Sequence, residues 1–165
     1  MQLTNFLSFT GRVTGIDDFP VTQNDPRSGC YKLFSLTDRD GSVVNFVVEP
    51  TTYFVENVKV KIGDILTGFY DADAPVPFIY PPQYRAIVMA RVTADYFVKV
   101  SFFNNQLVSS DGDLKLNLSR QTEIVLENGQ AFSGNPANRD LVVIYGATTR
   151  SIPAQTTPYG IVVLC

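Results

Sequence analysis

The feature that most constrains this chain is a series of short runs rich in Val, Ile, Phe, Tyr and Thr, separated by Gly, Pro, Asn and Asp. Runs of this kind, bounded by turn-forming residues, are typical of β-strands. The one candidate helix, residues 51–57, is rich in β-branched and aromatic residues and would span only about two turns. We therefore predict an all-β protein. The predicted strands are 9–16, 30–37, 42–48, 64–70, 84–90, 96–103, 114–118, 123–126, 141–145 and 160–164.

An internal repeat organises these strands. Residues 51–57 (TTYFVEN) align with residues 122–128 (TEIVLEN), and 69–72 (FYDA) align with 144–147 (IYGA). The second pair of segments continues in the same register, which places Tyr84 on Tyr159 and Val88 on Val163. Similarity at a fixed spacing is a mark of duplicated structural units. Each copy is predicted to hold five strands, with a long connection between the fourth and the fifth.

That layout is typical of a small Greek-key barrel of the OB type. Residues 10–13 (TGRV) would open a first strand and residues 62–70 would enter a fourth, while 122–124 and 151–155 give the second half the same appearance. We predict two tandem five-stranded OB-like barrels packed together, over residues 1–93 and 94–165. A single fused β-sandwich is the alternative architecture.

Most of the chain also resembles a family of small Firmicutes-type bacterial proteins of uncharacterised function. The resemblance is carried by the Phe-Tyr-Asp-Ala stretch and the Pro-rich loop that follows it, at residues 69–84. It implies a bacterial protein made of two OB-like barrels. It implies no activity, because the same barrel serves many unrelated functions.

Composition argues against catalysis. The 165 residues include no histidine, which excludes an imidazole base and any His-ligated metal. The sequence has no Gly-x-Ser-x-Gly elbow and no phosphate-binding Gly-x4-Gly-Lys loop. Cys30 is predicted to be a packed small hydrophobe, and two cysteines cannot build a disulfide framework. We predict that the protein is not an enzyme and has no catalytic residue, metal site or cofactor.

The chain shows no targeting pattern. The first residues lack a basic stretch followed by an apolar stretch, so no signal peptide is expected. No apolar run approaches the roughly 18 residues that cross a bilayer. We expect a cytoplasmic protein that does not enter a membrane.

The candidate binding site is the loop at residues 69–84, which holds five aromatic residues and four prolines. Proline fixes φ, so the aromatic side chains would be displayed at a small ordering cost. The alternative is that Phe78 and Tyr80 fold inward and plug a barrel end. A cation in the second long loop completes the site. The predicted binding residues are Tyr70, Asp71, Asp73, Phe78, Tyr80, Tyr84, Arg85 and Arg150.

Charge bears on the partner. The chain carries 13 basic and 16 acidic residues, and its sequence pI is about 4.8, so it repels phosphates at long range. A non-catalytic binding or assembly module, with a protein or peptide partner or with self-association, is therefore favoured over nucleic acid. The alternative is a single-stranded nucleic-acid-binding OB protein. In that case a local basic patch would have to form from Arg12, Lys32, Lys59, Lys61 and Arg85.

Overall fold

The computed structural model describes residues 3–19 and 24–165, and the regular structure in this part of the chain is β, apart from one 3₁₀ turn. The all-β prediction is confirmed. The chain divides into two compact units. We name Asn5–Val92 the N-terminal unit, and Thr93–Cys165, with which Leu3 and Thr4 group, the C-terminal unit.

The strands of the N-terminal unit form where apolar and polar residues alternate. In the segments KLFSLT and VVNFVV every second residue is buried, because successive side chains of a strand point to opposite faces. The inward positions include Phe34, Leu36 and Phe46, which lie in the core. The strands are β1 (Phe6–Asp18), β2 (Lys32–Thr37), β3 (Val43–Val48), β4 (Tyr53–Phe54), β5 (Ile65–Asp71), β6 (Gln83–Arg85) and β7 (Val88–Arg91).

These strands form one seven-stranded sheet in the order β4-β7-β5-β1-β2-β3-β6, and a short connection of the chain completes a circuit through it. β1 is antiparallel to both β2 and β5, and β2 is antiparallel to β3. β3 pairs in parallel with β6, whereas β7 is antiparallel to β5 and parallel to β4. Only Ala86 and Ile87 separate β6 from β7. The path that leaves β1 through β2, β3 and β6 therefore continues along the chain into β7 and returns to β1 through β5, with a covalent link and not a ladder between β6 and β7.

The C-terminal unit repeats most of this pattern. β11 is antiparallel to β8 and β13, β10 is parallel to β13, and β9 is parallel to β12. At the place beside β8 that β2 takes beside β1, there is an isolated antiparallel bridge between Phe103 and Ser109. The strands are β8 (Phe97–Phe103), β9 (Leu114–Leu116), β10 (Glu123–Leu126), β11 (Arg139–Tyr145), β12 (Ala154–Thr156) and β13 (Gly160–Leu164).

A threonine holds the same place in both units. The Thr52 hydroxyl donates to the carbonyl of Ala86, and the Thr122 hydroxyl donates to the carbonyl of Pro158, each over 2.9 Å. Each threonine directly precedes a strand that pairs in parallel with the last strand of its unit. By these contacts Thr52 matches Thr122, whereas the sequence alignment matches Thr51 to it. The alignment is also wrong at the last strand, where Ile87 takes the place of Tyr159 and Val88 that of Gly160.

The candidate helix at residues 51–57 contains β4 and a 3₁₀ turn, Val55–Asn57, in which Glu56 has a φ of 59° that an α-helix does not allow. Two local predictions are wrong. The predicted strand 84–90 is interrupted between β6 and β7. Cys30 is exposed rather than packed, and it precedes β2 in a bend.

The last strand is buried on both faces. Ile161, Val162 and Val163 are each at most 3% exposed, as expected for an apolar run without alternation. Ile161 and Val163 belong to the core of the C-terminal unit, together with Phe103, Leu116 and Leu141.

Candidate binding site

The long connection between β5 and β6, residues 72–82, presents its large apolar side chains to solvent. We name it the aromatic loop. Phe78 is fully exposed and Tyr80 is 82% exposed, and Val76 and Ile79 also lie on the surface. The alternative in which Phe78 and Tyr80 plug a barrel end is therefore wrong. Contiguous exposed apolar side chains mark interaction surfaces more often than scattered ones do.

Both ends of the aromatic loop are fixed. At its start, the Asp71 Oδ1 atom accepts hydrogen bonds from the backbone N–H groups of Asn5 and Asp73, at 3.3 and 3.0 Å. At its end, the Asn45 N–H donates to the Pro82 carbonyl over 2.9 Å. Asp71 thus shapes a turn with one of its two oxygens. In the described part of the chain, no three acidic or thiol side chains group together as metal ligands would.

Tyr70 and Tyr84 lie at the base of the aromatic loop and stack on each other. Their ring centroids are 3.9 Å apart and the ring planes are 9° from parallel. Both rings also contact the buried ring of Phe46, with centroids at 6.0 and 6.2 Å. Burial, with a smaller effect from Tyr84, raises the pKa of Tyr70. These two tyrosines cover the end of the core, and their stacked faces are already occupied.

A cleft of about 260 Å³ opens beside this stack. Its apolar wall is formed by Pro75, Val76 and the exposed edge of Tyr84, and Asp71 supplies a carboxylate. Arg85 also lines it, but Arg85 Nη1 lies 3.7 Å from Glu49 Oε2 in an ion pair. The structure thus brings Tyr84, Arg85 and Asp71 together, while Phe78 and Tyr80 lie on the exposed loop. Asp73, two residues after Asp71 in the chain, is exposed.

Arg150 lies in the other unit, in the loop between β11 and β12. Beside it, Ile152 is 97% exposed. The backbones of Thr149 and Gln155 join across this loop, with Thr149 N–H donating to Gln155 O over 2.9 Å. This loop therefore presents a cation and an apolar side chain from a hydrogen-bonded frame, and sequence reasoning had identified only the cation.

A polar row crosses the outer side of three strands of the N-terminal unit. Ser35, Asn45 and Gln83 pair with one another across β2, β3 and β6. The Oδ1 atom of Asn45 is buried and has no hydrogen-bond partner among the described residues. The signal in the sequence was an Asn inside the apolar run VVNFVV, and sequence reasoning did not use it.

The proposed basic patch is partly neutralised. Lys32 Nζ pairs with Asp18, Arg85 pairs with Glu49, and Arg12 Nη1 donates to the Gly63 carbonyl over 3.1 Å. Arg12 also borders an open cavity of about 680 Å³, whose rim carries the carboxylates of Asp38 and Asp40 next to Arg39.

None of the helical structure in residues 3–19 and 24–165 is long and apolar enough to cross a membrane. Against protein-family models and against curated proteins, the chain gives no match.

Proposed function

We propose that this protein is a non-catalytic protein-binding module whose interaction surface is the aromatic loop and the cleft at its base. The observation that carries the proposal is the exposure of Phe78, Ile79 and Tyr80 on a loop that is fixed at both ends. Large, stiff aromatic side chains with few rotatable bonds bury much area at a small entropic cost.

The proposed architecture is two OB-type barrels that arose by duplication. In the N-terminal unit, the parallel contact between β3 and β6 and the two-residue connection from β6 to β7 bring the two sides of the sheet together, which supports the barrel. The parallel pairs β9–β12 and β10–β13 in the C-terminal unit, and the shared positions of Thr52 and Thr122, support the duplication. Membership of the Firmicutes-type family and a cytoplasmic location stay predictions.

Charge supports a protein or peptide partner over single-stranded nucleic acid. The aromatic loop begins between two carboxylates, Asp71 and Asp73, and the nearby guanidinium of Arg85 is paired with Glu49. Nucleic-acid binding needs unpaired cations along the backbone path and free aromatic faces for the bases. Tyr70 and Tyr84 stack on each other, but Phe78 and Tyr80 have exposed rings, so the charge around the loop, rather than the aromatic surface, favours a protein partner.

The test compares the wild-type chain with Tyr80→Ala. Phage-displayed random peptides are first selected on the wild-type chain, and fluorescence anisotropy then measures their affinity. We expect Tyr80→Ala to weaken binding about fivefold or more, which corresponds to roughly 1 kcal/mol. The free energy of unfolding should stay within about 0.5 kcal/mol of wild type, because the side chain is exposed.

Ile62→Ala is the matched control, since Ile62 is an exposed apolar residue of the same unit outside the aromatic loop. It should bind the selected peptides as wild type does. Failure to select any peptide would contradict the proposal. Tight binding of oligo-dT that weakens steeply between about 50 and 200 mM salt would instead favour the nucleic-acid alternative.

A further inference from the structure

The loop between β11 and β12 forms a rigid projection, which we name the Ile152 knob (residues 149–153). The Thr149 and Ser151 hydroxyl oxygens lie 2.7 Å apart, and Ser151 Oγ donates to the Pro153 carbonyl over 2.8 Å. The Gln155 N–H donates to Thr149 Oγ1 over 2.9 Å. These bonds hold the projection in shape while Ile152 points into solvent, so little ordering would be needed on binding.

The tip of the Ile152 knob is apolar and positively charged. Arg150 is exposed, and among the described residues its side chain has no hydrogen bond or ion pair. An exposed, unpaired guanidinium next to a fully exposed isoleucine fits a partner surface that combines an apolar recess with a carboxylate.

The cleft beside the aromatic loop has those two properties. Pro75, Val76 and Tyr84 line its apolar part, and Asp71 contributes its carboxylate. The described residues of its lining include one cation, Arg85, which is paired with Glu49. Hydrogen bonds within the chain use Oδ1 of Asp71. Its volume of about 260 Å³ is ample for a branched aliphatic side chain, since a cavity of roughly 150 Å³ already admits benzene. Asp73, which is exposed beside it, adds a second negative charge.

We propose that the Ile152 knob of one copy docks into the cleft of a second copy of this chain, with Arg150 facing Asp71 and Asp73. The inference rests on the proposed function, because it assigns the partner of the same cleft. Because the two surfaces differ, two copies can either exchange both contacts in a closed two-fold dimer or bind head to tail through one contact each. Head-to-tail contacts build rings when the rotation closes and open filaments when it does not.

Sedimentation velocity of the full chain over a concentration series tests this inference. We expect the weight-average mass of the wild-type chain to rise with concentration. Ile152→Glu and Val76→Glu should each remain at the monomer mass, and both substitutions lie at exposed positions that a charge can occupy without entering the core. Ile62→Glu, which changes an exposed isoleucine outside both surfaces, should behave as wild type.

Mixing the two variants distinguishes a knob-to-cleft contact from one in which knob meets knob or cleft meets cleft. Ile152→Glu retains an intact cleft and Val76→Glu retains an intact knob, so an equimolar mixture should form a dimer and nothing larger. Charge exchange gives a second check. Arg150→Asp should weaken association roughly tenfold, and the double variant Arg150→Asp, Asp73→Arg should recover most of it.

The inference is overturned if the wild-type chain stays monomeric at every concentration, if the mixture stays monomeric, or if Ile62→Glu abolishes association as strongly as Ile152→Glu does. Selected peptides separate its failure from that of the proposed function. Peptides that still bind at the cleft of a strictly monomeric chain would leave the proposed function standing and remove only the second copy as the partner.

Discussion

Gly68 has no side chain because the ring of Phe46 occupies the space that a Cβ atom would need. An added Cβ would lie 2.6 Å from Phe46 Cζ, and Phe46 is fully buried. We expect Gly68→Ala to lower the free energy of unfolding by about 1–3 kcal/mol, the usual cost of overpacking a core. Urea denaturation measures it. Gly15→Ala is the control, since its nearest contact is Ser35 Cβ at 3.5 Å, and equal losses for both would contradict the steric explanation.

The sequence located the aromatic loop, but it did not assign each aromatic side chain to the surface or to the core. Tyr70 and Tyr84 point to the core because of their positions on β5 and β6, and those positions depend on which residue of β1 or β3 they pair with. Pairing register comes from long-range contacts that no local pattern contains. Phe78 and Tyr80 lie outside the strands, so no register turns them inward.

At the scale of elements, one hydroxyl ties each short parallel strand to the rest of its unit. Thr52 Oγ1 accepts from the Glu49 N–H and donates to the Ala86 carbonyl, and Thr122 Oγ1 bonds Ser119 and Pro158 in the same way. Replacement by Val would leave a backbone donor and a backbone acceptor without their partner.

We therefore expect Thr52→Val and Thr122→Val each to lower the free energy of unfolding by about 1–3 kcal/mol in urea denaturation. Thr51→Val serves as the matched control. Thr51 is exposed, and its hydroxyl makes only a 3.5 Å contact with Glu49, so the change should stay within about 0.5 kcal/mol. A loss at Thr51 as large as that at Thr52 would argue against the shared role.

The turn between β8 and β9 depends on a charged Asp111. Burial by itself raises the pKa of this carboxyl, but hydrogen bonds from Lys99, Ser109 and the Asp113 N–H outweigh burial and lower the pKa below its usual value of 3.8. The unfolded chain therefore takes up this proton first as pH falls. The stabilisation is complete above the unfolded pKa and is lost as pH drops through the folded one.

We expect the wild-type chain to lose stability more steeply than Asp111→Asn as pH falls below about 4, with the two curves parallel above about pH 5. Urea denaturation at a series of pH values measures the difference. Identical acid slopes for the two chains would show that Asp111 titrates alike in the folded and unfolded states.

Most strands could be predicted from local pattern, whereas their interruptions could not. Residues 123–126 and 160–164 match β10 and β13, because clear apolar runs end there at turn formers. The break between β6 and β7 lies in an unbroken apolar sequence, where only pairing with two different partners, β3 and β5, separates them. Glu56 and Asn57 adopt a positive φ, which the sequence does not indicate because neither residue is a glycine.

At the scale of the whole molecule, the two units share a pairing pattern, but the sequence alignment differs from the contacts by one residue at the threonine and by three residues at the last strand, where Val88 takes the place of Gly160 and not of Val163. Thr51 and Thr52 are adjacent and identical, so the alignment had no local reason to choose between them. In the structure, Thr52 is the residue whose hydroxyl donates to a carbonyl just before the last strand of its unit, as the Thr122 hydroxyl does in the other unit. The sequence did not indicate the Ile152 knob, because the exposure of one isoleucine depends on how the surrounding loop is hydrogen-bonded.

The closed circuit of the N-terminal unit has a consequence for synthesis on the ribosome. Phe6 pairs with Asp71 and Arg12 pairs with Ile65, so β1 gains its second neighbour only after most of the unit has been translated. The circuit closes only when β7 has left the exit tunnel. Until then, the nascent chain carries a long, unpaired strand edge, the kind of surface that chaperones shield. Contacts so distant along the chain also place this unit among the slower-folding small β proteins.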